Sequence, residues 1–424
     1  MKTGLILGCI ADDFTGGSDA ASFLAAGGMN TILCNGIPEP DFLLPNSCDA
    51  VVIALKSRTQ ETVSAVADSV AAIKWLQKHG AQHYYVKYCS TFDSTPKGNI
   101  GPIMDAVLEY LKAPRSILCP ALPVNGRTVK GGILYVKGIP LAESPMKDHP
   151  LTPMWESRIT GLMQPQSQYI SMELHRDMLN GNRKMLQLAI SSFAEGKKHY
   201  YLVPDYTDEQ DAQIIADIFC YDTVLSGGSG ILTALARKLR REKSEEMVFS
   251  GTSGPALILA GSCSMATNTQ TQNYLSHGGK AIRLEDTKLL NGDQNPEVIW
   301  AQAQQLRTNA PLVYSWESPE GLKAKRNPTG KALSALIERT LSETAALAVA
   351  GGTRRILVAG GETSGAVARR LGYNAFWIGQ SVAPGVPILI PLEQPDVRIV
   401  LKSGNFGQED FFSRALSMTG EEKQ

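Results

Sequence analysis

The chain lacks any apolar run approaching the ~18 residues that a membrane span requires, so no spanning segment is expected. It also lacks an excess of either charge, with 41 Lys and Arg against 41 Asp and Glu. No overall field therefore draws it to nucleic acid or to an anionic membrane surface, and any anion must be held by a local site. The seven cysteines, at 9, 34, 48, 89, 119, 220 and 263, are odd in number and include no Cys-x-x-Cys pair. That pattern argues against a disulfide framework and against structural zinc. A reducing cytoplasm is the expected compartment, with the cysteines serving as small buried hydrophobes, as in Ile117-Leu118-Cys119. The apolar stretch Gly4–Ala11 runs straight into Asp12-Asp13 without a small-residue cleavage pattern, and reads as a first strand rather than a secretory leader. Two phosphate-binding signatures are missing as well: no Gly-Lys dipeptide is followed by Ser or Thr, and no GxGxxG occurs. There is no repeat of fixed short period and no low-complexity segment beyond one charge run.

What is present is length and alternation. At 424 residues the chain exceeds the ~250–300 at which a single core stops growing, which predicts two domains. Short β-branched runs at Gly4–Cys9, Thr31–Cys34, Ala50–Leu55, Tyr84–Tyr88 and Ser116–Cys119 alternate with helical spacing over Ser18–Ala26, Thr62–His79 and Ile100–Lys112. Such alternation implies βαβ units and a parallel sheet. Val124–Met185, rich in Pro, Gly and His, reads as an irregular loop-bearing excursion; Lys197–Val203 and Asp208–Cys220 then read as a further strand and helix. The charge run Arg237–Glu246 is the boundary expected between domains at 1–240 and 247–424. Beyond it, strands are expected at Ala256–Ala260, Lys280–Leu284, Leu312–Ser315, Arg355–Ala359 and Val397–Lys402, with helices at Pro296–Leu306 and Ala332–Ala350. The fold class predicted is α/β, two domains, each built on a largely parallel sheet flanked by helices.

In open α/β sheets ligands bind beyond the carboxyl ends of strands, so the residues just after each apolar run are the informative ones. The first run ends in Asp12-Asp13-Phe14-Thr15-Gly16-Gly17-Ser18-Asp19. Paired Asp can act as base toward a substrate hydroxyl or ligate Mg2+ through oxygen, and helix capping alone would explain a single one of them. Lys56-Ser57-Arg58 follows the third strand, Lys87 to Asn99 the fourth, and Asn125-Gly126-Arg127 the fifth. Each alone is an ordinary surface turn. Together Lys56, Arg58, Lys87, Ser90, Asp93, Ser94, Asn125 and Arg127 suit a polyhydroxylated anion, an arginine pairing its carboxylate in bidentate fashion. The second half offers Gly261-Ser262-Cys263-Ser264, Gly360-Gly361-Glu362-Thr363-Ser364-Gly365 and Lys402-Ser403-Gly404-Asn405-Phe406-Gly407. Glycines let backbone amides approach phosphate oxygens, and a helix starting near Thr363 would point its N-terminus at that charge. Ser226-Gly227-Gly228-Ser229-Gly230 reads as a hinge or a further substrate contact.

These blocks carry a resemblance. IADDFTGGSDAASFL, KYCSTFDSTPKGNIGP, CPALPVNGRTV, SGGSG, GSCSMATNTQ, AGGETSG and LKSGNFG resemble, in order, the blocks of the four-carbon acid sugar kinases, and among these the 3-oxo-tetronate kinase branch. One departure is Gly17-Ser18 where that family carries Ala-Thr; the hydroxyl is retained. The resemblance implies an N-terminal acid-sugar-binding domain and a C-terminal nucleotide-binding domain. It implies ATP contacts at Ser262 or Ser264, at Gly360, Gly361, Glu362, Thr363 and Ser364, and at Gly404 and Asn405. The implied reaction is ATP-dependent phosphorylation of the 4-hydroxyl of 3-oxo-tetronate, with Mg2+ neutralising the phosphates. Asp12 or Asp13 is the expected hydroxyl-orienting base and Arg58 or Arg127 the carboxylate partner. Closure around the Arg237–Glu246 linker is expected, and a homo-oligomer is compatible with the sequence. Competing readings are a D-threonate or D-erythronate kinase of the same family, a non-catalytic acid-sugar sensor, and a nicotinamide dehydrogenase, the last disfavoured by the missing glycine pattern.

Overall fold

The computed structural model describes residues 4–148, 152–241, 247, 249–262, 264–306, 310–315 and 328–421. Residues 242–246 of the charge run, and Cys263, lie outside the described residues. The chain forms two compact units, Met1–Met247 and Val248–Gln424. No helix among the described residues is long and apolar enough to cross a membrane.

The first unit is an α/β layer structure. Its strands are β1 (Leu7–Ala11), β2 (Thr31–Asn35), β3 (Ala50–Ala54), β4 (His83–Lys87), β5 (Arg115–Cys119), β6 (Arg127–Lys130), β7 (Ile133–Val136), β8 (Ile139–Pro140), β9 (Ser171–Leu174), β10 (Tyr200–Pro204) and β11 (Val224–Gly227). Eight of them pair in the order β2-β3-β1-β4-β11-β5-β10-β9, every pairing parallel. β1 and β3 are buried along their whole length. Helices cover both faces of such a sheet, which is why these strands read as unbroken apolar runs rather than as alternating ones.

Four sequence expectations shift here. β1 begins at Leu7, not Gly4, and the first helix begins at Phe14, not Ser18. Gly16-Gly17 thus falls within the first helical turn: a Cβ on Gly17 would sit 2.9 Å from the Ala54 Cβ, so the missing side chain lets the helix lie on β3. Ser226-Gly227 is not a hinge but the end of β11, a strand in the middle of the sheet. It is four residues long and half Ser and Gly, too short and too polar for its pattern to stand out. The excursion over 124–185 is not irregular throughout: it contains a small antiparallel sheet, β6-β7-β8, and β9, which extends the parallel sheet beside β10.

In the second unit the strands are β12 (Ala256–Ala260), β13 (Ala281–Leu284), β14 (Leu312–Ser315), β15 (Arg355–Ala359), β16 (Ala375–Ala383), β17 (Val386–Pro391) and β18 (Arg398–Lys402). Their order is β13-β14-β12-β15-β18-β17-β16. The first five are parallel, while β17 and β16 add an antiparallel edge. Helices Met265–Ser276, Asp286–Asn291 and Phe411–Thr419, none of them expected, fill the connections. The expected α/β class, with largely parallel sheets, is what the chain adopts.

The two units wind alike. In each, the chain runs from its first strand to an edge, inserts the third strand between, and then crosses the first strand to place the fourth on its other side. The reversal falls at β1/β4 in one unit and at β12/β15 in the other, and such switch points open a crevice at the carboxyl ends of the strands.

Candidate functional site

Strand register decides which loops meet. Ala54, Ala11, Lys87, Gly227 and Cys119 stand side by side in adjacent strands. The residues that follow them therefore leave the sheet at one edge, on either side of the β1/β4 reversal. Arg58 there donates through Nε to Asp12 Oδ2 at 2.7 Å and through Nη2 to Asp12 Oδ1 at 3.0 Å, and Nη2 also lies 2.8 Å from Asp13 Oδ2. Burial works against the Arg58 charge, but the two carboxylates outweigh it and raise its pKa. Asp13 caps the helix Phe14–Ala26, accepting from the Gly16 N–H. Its carboxyl is pushed above the ordinary range by desolvation and then by the neighbouring Asp12 charge, with Arg58, the Gly16 N–H and Lys87 opposing. A side-chain carbon at Gly16 would lie 2.9 Å from Asp13 Oδ1 and 3.4 Å from both Asp12 Oδ1 and Lys87 Nζ. Two carboxylates and a buried ammonium thus converge on one bare α-carbon.

A narrow crevice, part of it open to solvent, is lined by Asp12, Arg58, Lys87, Asp93, Ser94 and Asn99 among others. Asn99 fixes its rim, donating to Ser57 O at 2.7 Å and Gln60 O at 2.8 Å while accepting from Thr62 Oγ1 at 2.8 Å. Asp93 accepts from Thr91 Oγ1 at 2.6 Å, and Ser94 donates to Gln166 Oε1 at 2.8 Å. Of the expected substrate contacts, Lys56, Ser90, Asn125 and Arg127 do not line this crevice. Lys56 is exposed. Asn125 ends a short 3-10 turn and accepts through its backbone oxygen from Arg127 Nη1 at 2.5 Å. Arg127 Nε is buried without a hydrogen-bond partner.

The second unit repeats the arrangement with different chemistry. Ala260, Ala359 and Lys402 are neighbours across β12, β15 and β18, so Gly261, Gly360 and Ser403 leave the sheet together. Ser264 caps the helix Met265–Ser276 and donates to Gly404 O at 2.6 Å, and Thr267 Oγ1 donates to the same oxygen at 2.9 Å. Ser262 Oγ accepts from the Ser264 N–H at 3.2 Å. Gly360, at φ +133°, opens the helix Gly361–Leu371, and a Cβ there would sit 3.1 Å from the Ser262 nitrogen. No side chain caps that helix, so its first N–H groups are available to an anion. Gly361, Glu362 and Asn405 are exposed, while Thr363 and Ser364 are buried.

Comparison with known proteins gives this geometry its context. The model of a sugar-binding N-terminal domain matches residues 7–235, and that of a nucleotide-binding C-terminal domain matches residues 257–412. A curated protein of Actinobacillus succinogenes named 3-oxo-tetronate kinase is 40% identical over 98% of this chain and 100% of its own length. A Salmonella typhimurium protein of the same name is 39% identical over 97% of this chain and 98% of its own. The chain belongs to the four-carbon acid sugar kinases. It is a kinase, and membership of that family implies that it uses ATP. A solved structure from Salmonella typhimurium LT2, carrying a provisional tRNA synthase label, superposes with a TM-score of 0.89 at 38% identity over 96% of this chain and 98% of that one.

For a kinase of this family the geometry brings forward residues that the sequence reading had given no role. Asp19 accepts from Ser229 Oγ through Oδ2, and its Oδ1 is buried with no protein partner. Burial raises its pKa, with Lys87 and Ser229 opposing. Ser18 Oγ is likewise buried and unpartnered. Lys402 is buried at the end of β18. The available signal for Asp19 was its place in the first polar cluster. For Lys402 it was its place at the head of the Lys402-Ser403-Gly404-Asn405 block, where the glycine and its neighbours, rather than the lysine, drew the nucleotide assignment.

Proposed function

We propose that the chain transfers the γ-phosphoryl group of ATP to the terminal 4-hydroxyl of 3-oxo-tetronate, giving 3-oxo-4-phosphotetronate and ADP. The observation that carries this reading is near-full-length likeness, at about 40% identity, to relatives bearing that name. The polar crevice at the β1/β4 reversal supports it, because an acid sugar needs both cations and hydroxyl-directed acceptors.

In this reading the first unit holds the acid sugar. The substrate hydroxyl donates to Asp13, the carboxylate of the pair whose pKa is raised toward that of a working base. Its oxygen forms a bond to the γ-phosphorus as the bond from that phosphorus to the β-phosphate oxygen breaks. The proton passes to Asp13 and ADP leaves. Asp12, held in two hydrogen bonds by Arg58, orients the guanidinium rather than taking the proton. Of the two arginines expected to meet the substrate carboxylate, Arg58 lines the crevice and Arg127 does not, so the partner assigned to the substrate is Arg58, already fixed in place by Asp12 and Asp13. Lys87 supplies the buried positive charge beside the reacting hydroxyl.

The second unit takes the nucleotide, its phosphates meeting the N–H groups at Gly361 and Glu362 and the Ser262, Ser264 and Gly404 turn. Among the described residues no group of three or more His, Cys, Asp or Glu side chains is arranged to hold a metal by itself. That fits Mg2+, which needs only one or two carboxylates besides phosphate oxygens and waters. Bound with the nucleotide, the ion would neutralise charge on the phosphates.

The test is ADP release by the purified protein with ATP and Mg2+, comparing 3-oxo-tetronate, D-threonate, D-erythronate and L-threonate. Preference for the keto acid supports the proposal. Preference for an unoxidised acid keeps the kinase and moves the substrate, and no turnover on any of them overturns the assignment.

A further inference from the structure

Lys402 is 1% exposed at the end of β18, and its ammonium is satisfied entirely by neutral oxygens. It donates to Gly404 O at 2.9 Å, Thr267 Oγ1 at 3.0 Å and Ser403 O at 3.3 Å. It also lies 5.6 Å from the Phe411 ring centre. Gly404 O receives Ser264 and Thr267 as well, so a single buried cation holds the third phosphate-facing turn in place. The backbone oxygen of the same residue accepts from the Gly360 N–H at 2.9 Å and from Ser364 Oγ at 3.3 Å. Lys402 therefore touches all three turns: Ser264 through Gly404 and Thr267, the Gly360 helix start through its carbonyl, and Ser403-Gly404 directly.

Among the described residues no acidic side chain pairs with it. The carboxylates on the surrounding elements, Glu362 on the helix Gly361–Leu371 and Glu409 and Asp410 before the helix Phe411–Thr419, are exposed. The helix Met265–Ser276 offers only Tyr274, and β12 and β17 carry no ionisable residue. The basic Arg369, Arg370 and Arg414 are exposed, and Arg355 stands at the far end of β15. An uncompensated buried charge costs several kcal/mol in a dry interior, and a fold that keeps one gains when an anion arrives.

We propose that Lys402 is a positioning residue of the nucleotide site, fixing the Gly404 turn and holding in reserve a buried positive charge whose counter-ion is the phosphate chain of the bound nucleotide. This rests on the reading that the second unit takes the nucleotide. Burial lowers the Lys402 pKa to about 8, whereas a phosphate anion close by favours the protonated form. Nucleotide binding is therefore coupled to proton uptake at Lys402.

The experiment is calorimetric titration of the full chain with ADP at pH 7 and pH 8.5, each in two buffers of different ionisation enthalpy, in a range where the terminal phosphate is already ionised. A group titrating at about 8 that becomes fully protonated on binding gives uptake of roughly three quarters of a proton at pH 8.5 and roughly a tenth at pH 7. ADP affinity then falls by roughly tenfold between pH 7 and pH 9. Lys402→Arg, which keeps a charge that does not titrate in this range, flattens the pH dependence, while Lys402→Met weakens binding at pH 7 and abolishes the uptake. ADP binding in the wild-type chain with no proton uptake at pH 8.5 and equal affinity at pH 7 and pH 9 overturns the inference alone, and needs no variant to fold. Absence of ADP binding at every pH overturns the nucleotide reading and the inference with it.

Discussion

Replacing Asp13 by Asn separates catalysis from folding at the first site. Asn caps a helix about as well as Asp, so the Gly16 N–H keeps an acceptor and the helix Phe14–Ala26 loses only a few tenths of a kcal/mol. Arg58 keeps its two bonds to Asp12. What disappears is the proton acceptor, and a positioned general base contributes about 10²- to 10⁴-fold in rate. Expected, then, is a fall in kcat of that size with the melting temperature almost unchanged. Asp12→Asn should behave in the opposite way on stability. It breaks the two-bond ion pair with Arg58, whose side chain is 27% exposed against 10% for Asp12, so the cost is discounted for solvent to about 1–3 kcal/mol. For a unit of this size that is a drop in melting temperature of roughly 2–4 °C per kcal/mol. The pH profile adds a second readout. Because the Asp13 carboxyl is raised, activity as base requires pH above that elevated value, so the acid limb of kcat/KM lies higher than for an ordinary carboxylate and vanishes in Asp13→Asn. The assay is coupled ADP release across pH, with melting followed by circular dichroism. An Asp13→Asn enzyme within about threefold of wild-type kcat, with its acid limb intact, refutes the assignment of the base.

Gly360→Ala places a side chain at φ +133° and 3.1 Å from the Ser262 nitrogen; it should cost about 1–3 kcal/mol and raise KM for ATP more than KM for the acid sugar, which initial-rate kinetics checks. Asp19→Asn should lower kcat/KM for the acid sugar while leaving ADP affinity unchanged, since Asp19 and Ser229 belong to the first unit; equal losses for both substrates would count against it. Lys402 gives a stability signature. Its folded pKa of about 8 lies below the unfolded value near 10.4, so between these the unfolded chain binds more protons and stability rises with pH. The burial penalty is fully present below pH 8 and is relieved by at most about 3 kcal/mol as pH approaches 10.5. Urea unfolding at pH 7.5 and 9.5 should show that gain in wild type and lose it in Lys402→Met.

Much of the fold was legible because a parallel sheet covered on both faces writes itself as apolar runs. β12, β14 and β15 fall on the residues expected, and β3, β5 and β18 within one residue at either end. The elements that escaped were those whose residues answer to a neighbour rather than to a period. β11 is a central strand ending in Ser226-Gly227, and Gly17 has no side chain because Ala54 of β3 leaves no room for one. β16 and β17 form an antiparallel edge that the alternation of strand and helix gave no reason to expect. At the site, Asp12, Arg58, Lys87, Asp93 and Ser94 could be nominated because each follows a strand. Sequence could not show that Arg58 is already taken by two carboxylates, since that depends on the loops after β1 and β3 leaving the same edge.

The shared winding explains why two unlike sets of residues occupy equivalent places. Crossing back over the first strand separates the loops on either side of it, and that geometry is indifferent to what the loops contain. In the first unit the crossing carries Asp12-Asp13 after β1 and Lys87 at the end of β4, giving paired charges suited to a hydroxylated acid. In the second it carries Gly261-Ser262 after β12 and Gly360-Gly361 after β15, giving close backbone approach suited to phosphate. Lysine ends a strand in both: Lys87 beside carboxylates, Lys402 among neutral oxygens alone. The same residue type at a strand's carboxyl end is thus compensated from within the protein in one unit, and in the other is left for the ligand to compensate.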